Sequence, residues 1–127
     1  MLLLGACGWP MDPVPEWNYT VSGTVVRSGS AAPVAGADVQ VWFTNSTGQP
    51  AGQPFVRATT DAKGAFRMTE RYRSTVPPPH AAIGVTPPAG SGLAARTLSG
   101  VVRDFATQTT AGDKITIQTS VVLDASP

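Results

Sequence analysis

The sequence predicts an all-β sandwich, on three observations. Runs with a two-residue apolar period recur along the chain, and no stretch carries a helical period of 3.6. Composition agrees: apolar residues make up 42% but charged residues only 13%, while 13 Gly and 12 Pro supply turn chemistry. Such a chain, rich in Val, Thr, Gly and Pro, suits short strands joined by many turns rather than long surface helices. Its 127 residues are enough for one core that needs no disulfide or metal.

The first strand is expected from Trp17 onward, with Tyr19, Val21, Gly23 and Val25 on one side and Thr20, Ser22 and Thr24 on the other. Gly23 in mid-strand predicts a bulge or a close neighbour. Arg27 to Ser30 turn the chain, and Pro33 and Gly36 bracket a second break. Val39, Val41 and Phe43 then face the core, leaving Asp38, Gln40 and Trp42 outward. An outward Trp42 is a candidate to stack on a sugar or a peptide.

After a polar loop at 45–54, Val56, Ala58 and Thr60 form a weaker third strand. Asp61 and Gly64 take the first and last positions of a type I turn. The fourth strand, Ala65 to Tyr72, sends Phe66 and Met68 inward. If the third and fourth strands form a hairpin, Arg57 and Arg67 lie side by side on its outward face. Pro77, Pro78 and Pro79 predict an extended edge or crossing loop, with His80 exposed in it. A fifth strand spans Ala81 to Thr86, and a sixth Leu93 to Phe105 with a bulge at Gly100. Ala106 to Asp113 reads as a Thr-rich turn, and the alternation Ile115, Ile117, Thr119, Val121, Leu123 marks a seventh strand.

The motifs Val21-x-Gly23-x-Val25, Pro33-x-x-Gly36-Ala37-x-Val39 and Thr60-Asp61-x-x-Gly64-x-Phe66 occur in this order. Together they resemble the carboxypeptidase regulatory-like family, within the transthyretin-like and collagen-adhesin B-repeat group. The resemblance implies a seven-stranded antiparallel Greek-key sandwich of transthyretin (prealbumin) type, structural or binding in character and usually not catalytic. It gives Gly23, Gly36, Asp61 and Gly64 turn duties. The isopeptide cross-link of some adhesin repeats is not expected, because no Lys precedes Lys63 and no Asn follows Asn45. The several His of the transthyretin-like hydrolases are also missing, since His80 stands alone.

At the N-terminus, Leu4-Gly5-Ala6-Cys7 resembles a bacterial lipobox, in which the cysteine carries the lipid. Only six residues precede Cys7, fewer than a signal peptide needs, so the start is expected upstream. The expected organisation is a signal remnant at 1–7 with Cys7 as lipid attachment site, a Pro-rich tether at 8–17, and the sandwich at 18–124. A lipid-anchored address at the bacterial cell envelope follows from this resemblance.

Lys and Arg total 9 against 8 Asp and Glu, so no basic face for nucleic acid is expected. The carboxylates are scattered without a general acid-base pair, no D-x-D loop offers calcium ligands, and no G-x-S-x-G or phosphate loop is present. No catalytic residue, metal or cofactor is therefore expected. The reading is a non-enzymatic, membrane-tethered structural or interaction domain. Its alternative is a carbohydrate- or peptide-binding domain using Trp42, Arg57 and Arg67. Expected partners are the membrane through its lipid anchor, an envelope protein or glycan, and a second copy through a sheet edge.

Overall fold

A computed structural model describes residues 14–45, 47, 49, 54 and 56–127. Cys7 and its lipobox-like context, with most of the Pro-rich segment, lie outside the described residues. The elements in chain order are β1 (Glu16–Arg27), β2 (Asp38–Phe43), β3 (Val56–Thr59), β4 (Ala65–Arg73), β5 (His80–Thr86), β6 (Arg96–Val101), α1 (Val102–Phe105), β7 (Thr107–Ala111) and β8 (Lys114–Leu123). They build two four-stranded sheets, ordered β4-β1-β8-β7 and β3-β2-β5-β6.

The two sheets share one core, as the alternation requires. Tyr19, Val21 and Val25 of β1 and Ile115, Ile117, Val121 and Leu123 of β8 meet Val39, Val41 and Phe43 of β2 and Ile83 and Val85 of β5. Burying each aliphatic side chain contributes about 1.5–3 kcal/mol, so these alternating positions dominate the stability. Gly23 belongs to the inward series but has no room for a side chain. A Cβ there would collide with the Thr119 carbonyl oxygen of β8 and come within 2.9 Å of the Phe66 ring of β4. The close neighbour expected at Gly23 is thus present on both sides.

Three expectations about the strands are corrected. The strands among the described residues number eight rather than seven, because Thr107–Ala111 pairs antiparallel with β8. Three β-branched threonines favour an extended strand, and the turn is confined to Gly112 (φ 63°) and Asp113. The sixth strand is shorter than expected: past Gly100, at φ 127°, the chain forms the single turn α1, which tucks Val102 into the core. Finally, the sheets are not wholly antiparallel, since β1 and β8 run parallel from Asn18↔Lys114 to Arg27↔Leu123. The first and last strands lie side by side in the same direction, so β1 sits between β4 and β8.

The connection between β3 and β4 is also not a hairpin. β3 pairs with β2, whereas β4 pairs with β1 in the other sheet. Thr60 makes the corner. Its buried hydroxyl donates to the Val34 carbonyl (2.6 Å) and accepts from the Ala37 N–H (2.9 Å). The next turn is the one expected: Asp61 Oδ1 accepts from the Lys63 and Ala65 N–H groups, each at 2.9 Å. Gly64 adopts φ 72° and its carbonyl accepts from the Val25 N–H at 2.8 Å, docking the turn on β1. Gly36, at φ 75°, bends the segment that meets Thr60. The three prolines cross back to the opposite sheet, and His80 opens β5 opposite Val101, half-buried, instead of lying in an exposed loop.

Two stability outcomes follow. Gly23→Ala is expected to lower the free energy of unfolding in urea by about 1–3 kcal/mol, because backbone and ring must both move; an unchanged midpoint would contradict the close approach. The Ala65 and Lys63 N–H groups hold the Asp61 carboxyl below its ordinary range. Its contribution is therefore present above the ordinary carboxylate pKa of about 4 and lost as pH falls through the lower, folded-state value. Asp61→Asn keeps an acceptor oxygen but removes the titration, so acid unfolding should become shallower below about pH 4. An acid limb that matches the parent's would assign that limb to other carboxylates.

Candidate functional site

The strand registers set out a polar face on the outside of the β4-β1-β8-β7 sheet. Since Tyr19 and Val21 point inward, Asn18, Thr20 and Ser22 point outward. Asn18 lies between Arg71 and Lys114, Thr20 between Thr69 and Thr116, and Ser22 between Arg67 and Gln118. Thr109 of β7 pairs with Thr116, so four threonines cross the four strands in one row. With strands about 4.8 Å apart, the Arg71 and Lys114 backbones stand roughly 10 Å from each other across β1. Arg67 and Arg71 are separated by four residues on one edge strand, roughly 13 Å.

All of these outward residues but Ser22, Gln118 and Thr109 line an open groove of about 720 Å³, whose lining holds three cations, Arg67, Arg71 and Lys114, to one carboxylate, Glu70. The charge is little compensated. Arg71 has Glu16 at 3.9 Å, but its side chain is 72% exposed, and such a pair is worth about 0–1 kcal/mol. Arg67 and Lys114 form no ion pair among the described residues. Glu70 accepts the Arg71 N–H at 2.9 Å, which holds its carboxylate at the groove's edge. Asn18 is oriented by donating from Nδ2 to Asp113 Oδ2 at 3.0 Å.

The inner side of this end is aromatic. The Tyr19 and Phe43 rings meet edge to face at 5.4 Å, and Phe43 and Tyr72 are tilted at 4.3 Å. Burial, with a smaller effect of Tyr72, pushes the Tyr19 hydroxyl up to about 12. Tyr19 is consequently neutral at any physiological pH and adds no charge to the groove. Trp17, across from Tyr72, donates its indole N–H to the Ser74 carbonyl at 2.8 Å and braces β4 against β1.

The residues expected to form one binding face are not together. Trp42 and Arg57 lie on the outer face of the β3-β2-β5-β6 sheet, whereas Arg67 lies on the outer face of the other. The indole of Trp42 does face outward, over Gly84, where a Cβ would lie 3.0 Å from its ring. Arg57 is engaged locally: its Nε meets Asp38 Oδ1 at 3.2 Å, and Gln40 donates to the same carboxylate at 2.8 Å. Arg67 instead shares its groove with Arg71 and Lys114, which sequence reasoning did not single out. The available signal was the even spacing of Arg67, Thr69 and Arg71, which puts all three on one face of a strand. Among the described residues, no three His, Cys, Asp or Glu side chains gather as metal ligands. The groove can hold and orient an anion through guanidinium, ammonium and hydroxyl donors.

No family model and no curated protein matches the chain. Solved structures do. One is the dioxygenase domain of a dioxygenase carbohydrate-binding protein fusion from Streptomyces sp. SirexAA-E, at TM-score 0.58 and 21% identity, covering 92% of this chain and 86% of that one. A second is hydroxyquinol 1,2-dioxygenase from Pseudomonas putida DLL-E4, at TM-score 0.57 and 18% identity. That match covers 91% of this chain but 58% of the enzyme, so the chain spans little over half its length. A third is the pilus 2b backbone protein of group B streptococcus, at TM-score 0.53 and 16% identity, covering 84% of this chain and 40% of that one. At these identities the likeness shows the fold. It overturns the expectation of a non-enzymatic structural or interaction domain, and with it the alternative of a carbohydrate- or peptide-binding one. The inference from sandwich to non-catalytic role fails because dioxygenases are built on the same sandwich.

Proposed function

We propose that this domain uses the dioxygenase-type sandwich to take a small anionic organic molecule in the groove between β4 and β8. The observation that carries the reading is the placement of Arg67, Arg71 and Lys114 around the Thr20-Thr69-Thr116 row, with Glu70 as the one carboxylate in the lining. Guanidinium groups match the planar oxygens of a carboxylate, while the hydroxyls can donate or accept along the body of the ligand. Because the groove is open and its cations exposed, affinity should fall as salt rises. The resemblance of the Val21-Gly23-Val25, Pro33-Gly36-Ala37 and Thr60-Asp61-Gly64 motifs to the carboxypeptidase regulatory-like family belongs to this proposal as a statement of descent. A profile built from closer relatives that lacked those motifs would remove it.

Calorimetric titration with simple carboxylates and inorganic phosphate at low ionic strength tests the site. A charge-assisted hydrogen bond contributes about 1.5–3 kcal/mol, so the double variant Arg67→Ala/Arg71→Ala is expected to weaken binding by roughly tenfold or more. Arg57→Ala, on the opposite face, should leave affinity unchanged. Equal affinity in the parent and the double variant would overturn the assignment.

A further inference from the structure

The cations of the groove are not clustered. Arg67 and Arg71 stand on the edge strand β4, and Lys114 stands on β8, with β1 between them. The position between Arg71 and Lys114 is the uncharged Asn18, and Thr69, Thr20 and Thr116 form the next row, between that of Arg71 and that of Arg67. We infer, on the reading that the groove binds anions, that its ligand is a dianion with separated charges, of the dicarboxylate class.

The two ends differ in chemistry as well as position. Arg67 and Arg71 present planar forks suited to a carboxylate gripped through two oxygens, whereas Lys114 presents a compact point charge. A single small anion that met all of them would have to draw Arg67 and Lys114 together across the threonine row. A ligand with an anionic group at each end meets an arginine of β4 and Lys114 of β8 where the strands place them, roughly 10 Å apart at the backbone for Arg71 and farther for Arg67. Asn18 and the adjoining threonines offer amide, methyl and hydroxyl groups, so the floor between the cations accepts a short carbon chain and can hydrogen-bond a substituent on it. Glu70 on the β4 side and Asp113, which accepts from Asn18 beside Lys114, both disfavour further negative charge, which sets a dianion above a more highly charged molecule.

The test titrates the full chain with acetate, succinate, adipate and inorganic phosphate at fixed ionic strength, following amide shifts by NMR. Succinate or adipate is expected to bind at least about tenfold more tightly than acetate. Lys114→Gln is expected to erase that preference, bringing the diacid down to the affinity of acetate, which the arginines still hold. If diacids and acetate bind alike, or phosphate binds more tightly than either diacid, the dicarboxylate inference falls while the anion site stands. If none of the four binds, both fall. If Lys114→Gln weakens acetate as much as the diacid, the two-ended arrangement is overturned.

Discussion

The hydroxyl of Thr60 holds the corner at which the chain passes from one sheet to the other. It donates to the Val34 carbonyl and accepts from the Ala37 N–H, both provided by the segment that leads into β2. With these groups satisfied, the chain leaves β3, turns at Asp61–Gly64 and enters the opposite sheet beside β1. A buried hydroxyl or amide left without its partner costs about 1–3 kcal/mol, so this pair of bonds holds the corner firmly. Had β4 folded back on β3, Arg67 would have stood by Arg57. Instead it stands across β1 from β8, and the groove exists because of that transfer.

The two outer faces then differ in how they treat charge. On the β3-β2-β5-β6 side, Asp38 collects both Arg57 and Gln40, and the Trp42 ring rests over Gly84. On the β4-β1-β8-β7 side, positive charge is left largely exposed beside a row of hydroxyls, with Glu16, Glu70 and the Asn18-bound Asp113 near it. An exposed surface of like charges stabilises a fold little, and ordering those side chains has an entropic cost. A ligand carrying the opposite charge offsets the repulsion among them, which is consistent with the anion-binding role proposed for this face.

Much of the fold was legible in the sequence. The inward series Val21, Val25, Val39, Val41, Phe66, Ile115 and Leu123 was readable from the two-residue period, and Gly23 and Asp61 from the local rules of strands and turns. What escaped had physical causes. Thr107–Ala111 has no apolar alternation because it is an exposed edge strand, so its polarity looked like a turn. The β3–β4 corner depends on contacts of Thr60 with Val34 and Ala37, far away in sequence, and a local turn signal cannot tell a corner from a hairpin. The candidate site was half legible: Arg67 was picked out as outward, but Lys114 lies 47 positions later and comes to the same sheet face only through the parallel pairing of β1 with β8.

Amide chemical-shift mapping of the parent protein with succinate tests the account most directly. The largest shifts should fall on Asn18 to Thr20, Arg67 to Arg71 and Lys114 to Thr116, the three strand segments that share the groove. Shifts centred instead on Trp42, Gly84 and Arg57 would contradict the account, as would a spectrum unchanged at saturating diacid.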